Sequence, residues 1–72
     1  MTEIKVRCYS GHRYAQEPRS FTWQGRHYQV AQIEQRWQAP EGPAFRVRAG
    51  SGDRFELWYN ESADRWLIRE AA

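Results

Sequence analysis

The chain is short of most residues that make catalytic or metal sites. Cys8 is its only cysteine among 72 residues, which excludes an intrachain disulfide and a cysteine-based zinc cluster. His12 and His27 are the only histidines, and neither has a partner at ligand spacing, so no metal and no other cofactor is expected. The carboxylates are scattered singly, and no pair stands out for acid–base work. The glycines at 11, 25, 42, 50 and 52 sit in turn-like contexts and make no phosphate-binding loop. No run is apolar enough to span a membrane. The opening MTEIKVRCYS lacks the apolar run of a signal peptide, and a soluble cytoplasmic protein is expected. No stretch sustains a 3.6-residue apolar stripe, and there is no internal repeat or low-complexity segment.

What is present fits one small domain over residues 1–72, with no length for a second core. Eleven Lys and Arg stand against nine Asp and Glu, a formal net charge of +2. That excess is milder than a dedicated DNA wrapper shows. Ten of the eleven cations are arginine. Arginine suits phosphate and carboxylate forks, although a GC-rich coding bias is the simpler account.

The dominant signal is a period of two, the mark of strands with one buried face. Ile4, Val6 and Cys8 alternate with Glu3, Lys5 and Arg7. Phe21 and Trp23 precede a turn at Gln24-Gly25, which sets Phe21 opposite Tyr28 and Thr22 opposite His27. Tyr28 and Val30 lie in the opposite phase to Ile33 and Trp37, so a bulge is expected near Ala31-Gln32. Residues 38–44, QAPEGPA, read as a loop. Phe45, Val47 and Ala49 form a further strand, and Phe55, Leu57 and Tyr59 another.

Face matching between those two favours Val47 opposite Leu57 and Phe45 opposite Tyr59, with Arg48 beside Glu56 and Arg46 beside Trp58. The rival register sets Arg48 against Arg54, a like-charge pair. Trp66 and Ile68 then fall opposite Tyr59 and Leu57. The expected architecture is all-β: about six short antiparallel strands in a meander, curled into a small open, SH3-like barrel.

The stretch CYSGHRYAQEP, residues 8–18, gathers nucleophile and base types in one polar segment. Cys8 and His12 could meet across the Ser10-Gly11 turn, as a thiol and its base must. Cys8 nevertheless continues the inward series of Ile4 and Val6, and a buried cysteine behaves as a small apolar group. The segment is therefore read as a connecting loop with an inert Cys8, and no catalytic residue is assigned.

One constellation remains. Trp58 and Leu67 both point outward and lie side by side, with Arg46, Arg48, Arg65 and Arg69 around them. An exposed aromatic flanked by guanidinium groups can stack single-stranded nucleic acid. It can equally form the core of a protein interface. An ordinary exposed face with one cation–π pair is the plain alternative.

VRCYSGHRYAQEPRSFTWQGRHYQVAQIEQRW followed by FRVRAGSGDRFELWYNESADRWLI resembles a small bacterial family of unknown function. Its pattern is a Ser-Gly loop and a proline before an F-x-W-x-G-x-x-Y-x-V hairpin, then a tryptophan, an F-R-V-R strand, a G-x-x-(F/Y)-E-L-(W/Y)-Y strand and a closing W-x-(L/I). Here these are Pro18, Phe21, Trp23, Gly25, Tyr28, Val30, Trp37, Phe45 to Arg48, Phe55 to Tyr59, and Trp66 to Ile68. A related domain occurs at the C-terminus of proteins resembling inactive Y-family DNA polymerases, so the resemblance implies a repair-associated accessory role. It brings no catalytic residue with it.

The function expected is a non-catalytic binding or adaptor module, with a protein partner or a second copy of the chain taken through the Trp58 face or an exposed edge strand. The alternative is a single-stranded nucleic-acid-binding or DNA-repair accessory domain that uses the same face.

Overall fold

The computed structural model describes residues 2–8 and 17–71. Six strands follow in chain order: β1 (Thr2–Cys8), β2 (Pro18–Trp23), β3 (Arg26–Ala39), β4 (Gly42–Ala49), β5 (Arg54–Asn60) and β6 (Arg65–Ala71). Each pairs antiparallel with the next, and β6 returns to β1 through Thr2↔Ile68, Glu3↔Leu67 and Ile4↔Trp66. The protein is a small all-β barrel, closed rather than open. Every strand has two neighbours, so the exposed edge strand considered from the sequence is not offered to a partner.

The β2–β3 hairpin has the expected register, Phe21↔Tyr28 and Thr22↔His27. Gln24 and Gly25 both take positive φ, 51° and 75°. That is the two-residue turn whose twist matches paired strands.

β3 runs for 14 residues and turns the corner of the barrel. Its first part pairs with β2 and the rest with β4. The expected bulge falls at Ala31, and a second falls at Glu34. Each bulge inverts the side-chain phase. The first brings Ile33 inward opposite Val47, alongside the inward Val30. The second turns Trp37 outward, opposite Ala44. Arg36 then takes the inner phase opposite Phe45, but at the barrel end, where it is exposed and pairs with Glu17.

Two expectations are corrected between β3 and β5. Residues 38–44 are not a loop: only Pro40 and Glu41 lie between the strands, and Ala39 pairs directly with Gly42. Proline is tolerated because Pro40 sits in the turn and Pro43 near a strand start. Gly42 makes the short connection possible. It takes φ 153°, and a Cβ there would meet the Tyr59 carbonyl oxygen at 2.4 Å. The Glu61 amide donates to the Glu41 carbonyl at 2.9 Å, joining this turn to the one between β5 and β6.

The β4–β5 register is the rival one: Phe45↔Leu57, Arg46↔Glu56, Val47↔Phe55 and Arg48↔Arg54. Turn chemistry decides it. Gly50, Ser51 and Gly52 make a three-residue loop in which the Gly52 amide donates to the Ala49 carbonyl at 2.9 Å and the Ala49 amide to the Asp53 carbonyl at 2.8 Å. Gly52 takes φ 96°, the left-handed residue that such a loop requires in third place. The like-charge pair is relieved by the Glu34 bulge: its carboxylate lies 2.9 Å from Arg54 Nε and 3.8 Å from Arg48 Nε. Arg48 also donates to Gln32 Oε1 at 2.7 Å. The β5–β6 register is as expected, with Leu57↔Ile68 and Tyr59↔Trp66.

The core fills the barrel with Phe21, Phe45, Val47, Ala49, Phe55, Leu57, Tyr59, Trp66 and Ile68; Ile4, Val6, Trp23, Tyr28, Val30 and Ile33 pack against it. Phe55 anchors one end by edge contacts with Phe21 at 5.1 Å and Trp23 at 5.3 Å. Tyr59 and Trp66 hold the other, 5.1 Å apart. Pro18 opens β2 fully buried, where a register shift beside Arg7 and Cys8 changes the strand's phase. The expectations for the Ser10-Gly11 turn, for His12 and for the thiol of Cys8 lie outside the described residues.

Candidate binding surface

Strand alternation fixes what the outer face of β3–β6 displays. The inward set of β4 is Phe45, Val47 and Ala49, so Ala44, Arg46 and Arg48 point out. The inward set of β5 is Phe55, Leu57 and Tyr59, which leaves Glu56 and Trp58 outside. Pairing then aligns outward residues in rows across the strands. One row is Trp37, Ala44, Trp58 and Leu67. The next is Gln35, Arg46, Glu56 and Arg69. The third runs from Gln32 to Arg48 and Arg54.

Trp58 and Leu67 are therefore direct cross-strand neighbours, as the sequence suggested. The row around them is wider than expected. Trp37 joins it because of the second bulge, with its ring perpendicular to Trp58 and 5.4 Å away. Ala44 sits between the two tryptophans and is 0% exposed although it faces away from the core. The small side chain is what lets two indoles close over the strand. Trp58 is half-buried, and among the described residues its indole nitrogen is buried with no hydrogen-bond acceptor. A buried donor left unmet costs about 1–3 kcal/mol. A perpendicular neighbouring ring is compatible with an N–H resting on its π face, a weaker substitute.

Beside this row runs an open cavity of about 320 Å³ lined by Ala39, Glu41, Trp58, Tyr59, Asn60 and Leu67. It lies at the end where the two turns are joined by the Glu61–Glu41 hydrogen bond. That end is shaped by Asn60, whose Oδ1 accepts from Ser62 Oγ at 3.0 Å and from the Ala63 amide at 3.1 Å. Asp64 follows with φ 52° and accepts from the Tyr59 hydroxyl at 2.5 Å. Sequence reading placed Trp58 and Leu67 here but missed Ala39, Glu41 and Trp37. The shortened β3–β4 turn and the second bulge, which bring them in, were not anticipated.

The arginines are less uniform than the sequence implied. Arg46 faces Glu56 across the strands, not Trp58, and Arg48 turns to Glu34 and Gln32, not Glu56. Arg69 donates to Glu56 at 2.6 Å. Arg65 lies on the far side of the apolar row, opposite Asn60. Among the described residues no group of three or more His, Cys, Asp or Glu could hold a metal ion. Among the described residues there is no helix long and apolar enough to cross a membrane. No protein-family model, no curated protein and no solved structure matches the chain, so the functional reading rests on the geometry of this face.

Proposed function

We propose that the chain is a non-catalytic, cytoplasmic binding module that docks a protein partner on the outer face of β3–β6. The observation that carries this reading is the row of Trp37, Ala44, Trp58 and Leu67 beside the cavity. It is an apolar centre of aromatic character with a charged margin, the anatomy of a protein interface. A single-stranded nucleic acid is the weaker reading, because Arg48 and Arg69 already meet Glu34 and Glu56 and would have to exchange those partners for phosphates. The family resemblance makes a protein of a DNA-repair complex the first partner to try.

The test is a displayed random-peptide library panned on the native barrel, with Leu67→Glu as the counter-selection. The expected result is enriched peptides that carry a large apolar residue, bind the native protein and lose binding to the variant. Enrichment indifferent to Leu67→Glu would overturn the reading. So would an oligonucleotide bound with a steep inverse dependence on salt, the mark of phosphate neutralisation.

A further inference from the structure

The cavity beside the apolar row has a single charged residue in its wall. Ala39, Trp58, Tyr59 and Leu67 are apolar or aromatic, Asn60 is neutral, and Glu41 alone has a charged side chain. Glu41 is exposed and belongs to the β3–β4 turn, so it stands at the rim. Its surroundings lean the same way. The two joined turns, residues 40–41 and 61–64, carry Glu41, Glu61 and Asp64 and no cation. Arg65 follows at the start of β6, opposite Asn60, and is not part of the cavity wall.

We propose that this cavity takes a lysine or arginine side chain of the protein partner, its stem against the apolar wall and its cationic head toward Glu41. The inference rests on the reading of this face as a docking surface for a protein. A carboxylate only accepts hydrogen bonds, so the group set against it must donate. Lysine and arginine join a long apolar stem to a head made only of donors. The aromatic wall adds an attraction for a cation. An anionic side chain would meet repulsion from Glu41. A purely apolar one could fill the space, but it would take hydration from Glu41 and return no hydrogen bond.

Size agrees with one side chain. The cavity of about 320 Å³ stands at the small end of ligand pockets, on the scale of a single long residue. The row sets the rest of the motif. Ala44 and Trp37 lie one and two strands beyond Trp58, about 5–10 Å along the sheet. An extended peptide advances about 3.3 Å per residue. An apolar residue seated on that part of the row therefore stands about two or three residues from the basic one.

Peptides recovered by panning on the native barrel test it, with binding read by fluorescence anisotropy and a thermal melt of each variant as the control for folding. Glu41→Gln should fold normally, because the hydrogen bond from the Glu61 amide goes to the backbone carbonyl of residue 41. The recovered peptides should carry a lysine or arginine about two or three residues from a large apolar residue. Glu41→Gln should weaken their binding about fivefold, the scale of an exposed ion pair. Norleucine in place of the basic residue keeps a stem and removes the charge, and it should also weaken binding about fivefold. The two changes together should cost about fivefold rather than about twenty-five, because both remove the same pairing. Peptides that are lost on Leu67→Glu but carry no basic residue, or are indifferent to Glu41→Gln and norleucine, overturn the cation and leave the docking face standing. Losses that multiply overturn the pairing with Glu41. If panning recovers nothing while sedimentation equilibrium finds the native chain dimeric and Leu67→Glu monomeric, a second copy covers the face and no basic side chain enters the cavity. Neither peptides nor self-association would remove the docking surface along with the cation.

Discussion

The same three strands, β4, β5 and β6, carry apolar residues on both of their faces, yet the two faces are built for different ends. The inner set of Phe45, Val47, Phe55, Leu57, Tyr59, Trp66 and Ile68 is buried throughout and packs against residues from every other strand. The outer set is one row deep. Trp58 and Leu67 are only half-buried, and the first leaves a buried donor without an acceptor among the described residues. A barrel of this size must commit most of its apolar residues to a single core. Two tryptophans and a leucine placed on the other side of the same sheet are surplus to folding. They still shield one another, since Ala44 beneath them is 0% exposed. The difference separates residues whose loss the fold cannot absorb from residues whose loss it can.

The largest expected effect follows from that contrast. Trp66→Ala empties an 8% exposed indole from between Phe45 and Tyr59 and should cost about 3–5 kcal/mol. A domain of this length has roughly 4–11 kcal/mol in total, so urea unfolding should find the variant near or past its midpoint in plain buffer. Trp58→Ala gives up a half-buried ring and an unmet N–H, and should cost about 1–2 kcal/mol. Equal losses in the two unfolding curves would erase the distinction between core and surface row.

The next effect lies where the two faces meet, at the joined turns. A Cβ on Gly42 would stand 2.4 Å from the Tyr59 carbonyl oxygen, and that backbone atom cannot swing aside as a side chain would. Gly42→Ala should push β4 off β5, weaken the Glu61–Glu41 hydrogen bond that closes the cavity end, and cost about 2–3 kcal/mol. Gly50→Ala is the matched control, because its Cβ would meet nothing within 4 Å; it should stay within about 0.5 kcal/mol of the native chain. The two melting temperatures, measured side by side, decide the matter. Amide exchange at Glu61 should rise in the first variant alone.

How much of this could be read from the sequence depended on whether local chemistry and face matching agreed. At Gln24-Gly25 they did, and the hairpin has the expected pairs. Between β5 and β6 they also did, so Trp58 and Leu67 were correctly placed together. Between β4 and β5 they conflicted. Face matching preferred to separate Arg48 from Arg54, whereas Gly52 in the third loop position demanded the register that joins them. The turn won because a left-handed position is a fixed steric requirement, while the repulsion of two exposed cations can be relieved from elsewhere. The relieving residue, Glu34, lies on a third strand at a bulge, and alternation along one strand does not reveal it. The same bulge moved Trp37 to the outer face, so the full row was not legible from residue spacing. Closure of β6 on β1 was hidden for a similar reason: it joins the two most distant strands of the chain.

The smallest expected effect probes that relieved pair and sharpens the contrast between the faces, since on the inner face nothing is tuned by salt. Glu34→Gln keeps the side chain's shape and can still accept from Arg54, but it removes the negative charge shared by Arg48 and Arg54. The guanidinium groups are over a third exposed, so solvent screens both the attraction lost and the repulsion uncovered. The loss at low salt should be about 0.5–1 kcal/mol. The sign of its salt dependence is the stronger test. In the native chain salt screens an attraction, and in the variant it screens a bare repulsion, so the stability gap should shrink as ionic strength rises toward 1 M, where the screening length falls to about 3 Å. Unfolding in urea, which adds no charge of its own, at several sodium chloride concentrations measures this directly. A gap that stays constant with salt would mean that Glu34 holds the register by packing at the bulge, and that the like-charge pair costs the barrel nothing.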